Sequence, residues 1–168
     1  IFDVDEFFDV LRDDPLDRWY QLGNVIAIVD ALLPEKLSRQ ADYILASECA
    51  NAGLVLLSRG QLAKPGQCEA AVAHLKRALT ACKCSRVFQP EAILAKDWAA
   101  LTEADMARIA RCGMRQASCE KLHFEEHEAF SSAYFLELGL SLAQLEKAIP
   151  ALFTDPACGR VLRVKGFV

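Results

Sequence analysis

Asn24 to Ala31 reads NVIAIVDA, and this stretch decides the fold. Val25 to Val29 is a continuous apolar, mostly β-branched run, as expected of a strand covered on both faces. It ends on Asp30, and open parallel sheets bind ligands at the carboxyl ends of their strands. Working outward, Pro34 opens a helix through about Asn51, with Leu37, Ala41, Ile44, Leu45 and Cys49 facing inward and Gly53 as its cap. Leu54 to Leu57 is a second buried strand. Gly60 to Gly66 is a loop, Glu69 to Ala81 a helix on Val72, Leu75, Leu79 and Cys82, and Arg86 to Phe88 a third short strand. This β-α-β-α-β alternation predicts an α/β fold: a partial parallel three-stranded sheet with flanking helices and right-handed crossovers.

On the amino side, Val4, Phe7, Phe8 and Leu11 recur at helical spacing, with Asp3 as N-cap and Asp13, Asp14 and Pro15 as the stop. On the carboxyl side, Pro90 breaks the alternation. Residues 91–101 read as a helix around Ile93, Leu94 and Trp98. Thr102 caps another, with Met106 and Ile109 inward, ending near Gly113. Residues 114–128 read as a polar linker. Phe130 to Leu138 reads as a strand, and Ser141 with Gln144 forms a capping box for a helix on Leu142, Leu145, Ile149 and Leu152. Pro150 should end or kink that helix. Arg160 to Val168 alternates as a last strand. The expected organisation is therefore an α/β part over 1–89, a helical connector and linker over 90–128, and a β-α-β piece of a small α+β domain over 129–168.

Composition narrows the function classes. The 168 residues are 53% hydrophobic and 25% charged, a globular balance. The net charge of −4 and the lack of a basic stripe argue against nucleic acid. No apolar run reaches the roughly 18 residues a membrane span needs, and no signal peptide is visible. Seven cysteines, at 49, 68, 82, 84, 112, 119 and 158, include no C-x-x-C, so neither a disulfide framework nor a zinc ribbon is indicated. A reducing, cytoplasmic location is expected, with thiols acting as small buried hydrophobes.

The strand ending in Val29-Asp30-Ala31, the helix and strand that follow, and the terminal GRVLRVKGFV from Gly159 resemble, in their order, the CobW-type GTPases of the CobW/HypB/UreG family. In that family a strand ending VDA follows an E-x-S-G loop and a helix. Ile1 to Leu11 is similar to that helix, and Phe130 to Val168 to the start of the C-terminal domain. The family's Asn-Lys-x-Asp base-recognition motif stands here as Ser58-Arg59-Gly60-Gln61. The resemblance implies a fragment of a nucleotide-dependent metallochaperone of the cobalamin-synthesis or metal-homeostasis type. The parent would use GTP and Mg²⁺, handle zinc or cobalt, and serve a metal-dependent client protein. The phosphate-binding loop would precede Ile1, so this chain is not expected to hydrolyse GTP alone. Homo-oligomers through unpaired sheet edges are a further expectation.

The candidate site residues follow. Asp30 either faces a nucleotide's magnesium or phosphate, or caps the loop after it. Ser58, Arg59 and Gln61 either meet a guanine base or form only a strand-to-loop turn. Gln61 is neutral where the family's motif has a charged acceptor, and charge-assisted bonds are about twice as strong. Cys119, His123 and His127 would share a face if their segment were helical, a thiolate and imidazole set suited to zinc; the other reading is three unconnected side chains. Cys82 and Cys84 either chelate a soft metal or pack apart. His74, beside Lys76 and Arg77, reads as a solvated surface residue. Arg160, Arg163 and Lys165 read as edge-strand charges or a docking surface for an acidic partner. Two function classes result: a piece of a nucleotide-dependent metallochaperone, or a non-catalytic α/β interaction module with a degenerate nucleotide site.

Overall fold

The computed structural model describes residues 4–124, 132–136 and 138–166. The chain divides into two compact units, Ile1–Ser131 and Ser132–Val168. The first is α/β. Its three parallel strands, β1 (Ile26–Asp30), β2 (Leu54–Ser58) and β3 (Ile93–Leu94), lie in the order β1-β2-β3. Helix α1 (Val4–Arg12) precedes the sheet, α2 (Arg39–Ala50) joins β1 to β2, α3 (Gln67–Ala81) follows β2, and α4 (Glu103–Ala110) follows β3.

The register pairs Ala27 with Val55 and Val29 with Leu57. These side chains share one face with Ala46 and Cys49 of α2 and with Leu75, Ala78 and Leu79 of α3, forming the main core. Ile26, Ile28, Leu54, Leu56 and Leu94 point to the other face. There Leu101, Ile109 and Cys112 cover Leu54, Leu56 and Leu94. That cover stops short of β1, where Ile28 is 67% exposed. The expectation of a strand buried on both faces is therefore corrected: β1 is an edge strand of the described sheet, and its second face has no layer over it there.

Several boundaries move for local reasons. Helix α2 starts at Arg39 rather than Pro34, because the Ser38 hydroxyl accepts from Ala41 N–H and sets the first turn. The third strand is Ile93–Leu94, not 86–88, and no helix spans 91–101. Pro90 begins a short 3-10 turn that delivers Ile93 and Leu94 into register with Val55 and Leu56. Phe88 is buried in the main core with the Arg86 guanidinium over its ring. Met106, expected inward, is exposed, while Ile109 packs as expected. Thr102 and Asp105 form the capping box of α4. Hydrogen bonds from Lys96 first, then from Thr102, hold the Asp105 carboxyl well below its ordinary range.

Residues 114–124 are bonded to the sheet unit throughout. Arg115 N–H donates to Asn51 O, Ala117 N–H to Asn51 Oδ1, and Glu120 N–H to Cys82 O. Just before them, Gly113 O accepts from Val25 N–H, and the Asn24 amide bonds both Ala110 O and Gly113 N–H. Gly53 lies directly beneath this crossing. A Cβ there would fall on the carbonyl oxygens of Cys112 and Gly113, so only glycine fits.

The second unit contains α5 (Leu142–Thr154), opened by the expected Ser141–Gln144 capping box. Pro150 lies inside it and does not end it. Proline forfeits one N–H, and the helix runs on for one more turn. The strands expected on either side do not form: 132–136, 138–141 and 159–166 carry no strand, and the rest of both segments lies outside the described residues. Of the β-α-β piece, only the helix is present among the described residues. Arg160, Arg163 and Lys165 are exposed but on no strand edge.

Candidate functional site

The carboxyl ends of β1 and β2 lie side by side, with Asp30 paired to Ser58 in the register. This places three of the four proposed cofactor residues at one edge. Asp30 Oδ1 accepts from Arg59 Nε at 2.9 Å, and its other oxygen is paired with Arg59 Nη2, a bidentate fork. Asp30 Oδ1 also accepts from Leu32 N–H at 3.0 Å, so the carboxylate caps the turn after β1. Ser58 Oγ donates to Val29 O at 3.4 Å, tying the two strand ends together. Gln61 sits in the 3-10 turn Gly60–Leu62 with its side chain exposed.

Arg59 adopts φ 59°, ψ 22°, the left-handed region. A side chain there costs roughly 1–3 kcal/mol, and such strain gathers at functional sites. Gly60, the next residue, would accept that conformation without penalty. The strained backbone instead holds a long, planar cation in place, and Asp30 fixes its direction.

The proposed metal residues are not assembled in this way. Cys119 is half-buried and packs against the main core. His123 is exposed, and 115–124 is not helical, so the shared helix face does not exist there. His127 lies outside the described residues. Among the described residues, no group of three His, Cys, Asp or Glu side chains could hold a metal ion. Cys82 and Cys84 close the end of α3. Lys83, at φ 50°, lets Cys84 N–H reach Leu79 O and Lys83 N–H reach Thr80 O, a Schellman turn whose second cysteine packs into the core. Burial first, and then the charges of Asp42 and Cys84, raise the Cys82 thiol. Burial pushes the Cys49 thiol up to about 12, so it stays protonated and inert.

His74 corrects the sequence reading most sharply. It is 4% exposed, not solvated. Its Nδ1 donates to Pro34 O at 3.0 Å, and its Nε2 meets the Asp42 carboxylate at 2.6 Å, joining α3 to α2. The signal was in the sequence: Ala71, Leu75, Ala78 and Leu79 define a helical stripe, and position 74 falls inside it.

No family model, no curated protein and no solved structure matches the chain. Among the described residues no helix is long and apolar enough to cross a membrane.

Proposed function

We propose that this chain is part of a nucleotide-dependent metallochaperone of the CobW type, and that it supplies the base-side end of a nucleotide site. The observation that carries this reading is Arg59, held in a strained conformation by Asp30 at the carboxyl edge of a parallel sheet. Its guanidinium offers a planar face for a base, as the family's lysine stem would. Gln61 stands two residues on, where the family's base-reading aspartate belongs. A guanine nucleotide fits this edge by stacking. Magnesium does not fit at Asp30, whose oxygens already serve Arg59 and Leu32. The sequence holds no G-x-x-x-x-G-K-[ST], so none of its own residues forms that phosphate cradle, and hydrolysis by this chain is not proposed. Handling of zinc or cobalt, a metal-dependent client and homo-oligomers belong to the proposal through the resemblance alone.

A second reading has an observation of its own. Asp30 and Arg59 satisfy each other, as in a nucleotide site closed by loss of function, and the chain would then act as an α/β interaction module. Nucleotide titration separates the two. On the first reading, guanosine and GTP bind with similar, weak affinity, weaker than about 100 μM, because the base alone contributes. Gln61→Asp then raises guanine preference over adenine about tenfold, or about 1.4 kcal/mol. If about 5 mM guanosine leaves the NMR signals of Arg59 and Gln61 unmoved, the interaction module is the better reading.

A further inference from the structure

A second cleft lies at the opposite, amino end of the sheet, away from Asp30 and Arg59. Its volume is about 510 Å³, within the range of small-molecule sites. Arg12 and Phe8 of α1 line one side, Asn51 the end of α2, and Ser85, Ser118 and Lys121 the remainder. The single acid on its wall, Asp9, sits 3.7 Å from Arg12.

Asn51 is the informative residue. It is 7% exposed, so its side chain is almost wholly enclosed. Its Oδ1 accepts from Ala117 N–H at 3.2 Å, which assigns the amide's orientation. The amide nitrogen, Nδ2, is left with no hydrogen-bond partner among the described residues. A buried donor without an acceptor destabilises the site, and a ligand oxygen would restore the balance. The surroundings favour a negative ligand. Arg115 N–H binds Asn51 O, and Arg86 Nη2 binds Ala52 O, the adjoining carbonyl. Arg86 Nε is buried and likewise unpartnered among the described residues. Arg12, Arg86, Arg115 and Lys121 thus gather around one asparagine, in a chain whose net charge is −4.

We propose that this cleft binds a small organic anion bearing a carboxylate or phosphate group, with its oxyanion on Asn51 Nδ2 between Arg12 and Lys121. Hydroxyls of Ser85 and Ser118 complete a wall rich in donors, and the Phe8 ring receives the ligand's apolar part. The site is independent of the nucleotide edge, so the two readings stand or fall separately.

The test is NMR titration of the isotope-labelled chain with inorganic phosphate and, separately, citrate, each to about 10 mM at constant ionic strength. The Asn51 side-chain amide and the Ser118 backbone amide shift saturably, while Arg59 does not. Saturation by citrate alone marks a carboxylate ligand, and by phosphate alone a phosphate ester. Asn51→Asp keeps the acceptor for Ala117 but turns the cleft's donor into a negative charge, and weakens binding at least about tenfold. Arg12→Gln with Lys121→Gln changes only exposed rim cations and also weakens it about tenfold. If Asn51→Asp does not fold, the rim variant decides. Absence of saturable shifts in the parent chain, or unchanged affinity in the rim variant, overturns the proposal.

Discussion

Helix α3 buries Ala71, His74, Leu75, Ala78 and Leu79 against the sheet, whereas α5, with a sharper capping box and a comparable apolar stripe, has no fully buried residue. Leu142 is 58% exposed and Phe153 50%. Both helices form because their signals are local: a cap three residues long and a period of 3.6. They differ in what surrounds them. Between β2 and β3, α3 receives a face to cover. The described segments on either side of α5 form no strand, although Tyr134, Phe135 and Leu136 are apolar enough for one. An amphipathic stripe states a demand for a partner. It does not supply one.

The largest effect that would break this contrast is a truncation in each helix. Leu75→Ala should cost about 2–5 kcal/mol in chemical denaturation, whereas Leu142→Ala should stay within about 0.5 kcal/mol. Equal losses would mean that α5 is packed as tightly as α3. Next comes the polar member of the α3 stripe. His74→Ala leaves Pro34 O and the Asp42 carboxylate unserved and should cost about 1–3 kcal/mol, against about 0.5 kcal/mol or less for exposed His123→Ala. A neutral His74→Ala would return that histidine to the surface. The smallest effect is at the end of α3. Lys83→Gly relieves the left-handed φ, and loses only an exposed ion pair with Glu120. It should raise the thermal midpoint by an amount equivalent to about 0.5–1 kcal/mol. A fall would show that the Schellman turn is not strained.

The contrast also explains what the sequence revealed. β1, β2, α3 and both capping boxes were legible because each is written in a few adjacent residues. The third strand was misplaced because Arg86 to Phe88 and Ile93 to Leu94 are equally short, and only pairing with Val55 and Leu56 separates them. Asp30, Ser58 and Arg59 were legible as strand ends. That Asp30 and Arg59 would engage each other was not, since the contact spans 29 residues and depends on a backbone conformation unusual for arginine. The roles of Asn24 and Asn51 were invisible for the same reason. Each binds a segment far along the chain, and no spacing announces it.

The Asn24 clamp also bears on how the protein comes into being. Its amide reaches Ala110 across 86 residues and Gly113 across 89. A chain synthesised from its amino end completes β1, α2, β2 and α3 before either partner exists. Until Gly113 emerges, Val25 N–H lacks its acceptor, and the space above Gly53 stands open. The early sheet therefore spends that interval with one end unsealed, when stray strands and neighbouring nascent chains are the main hazard. Glycine at 53 and asparagine at 24 keep a berth for a segment the ribosome has not yet made.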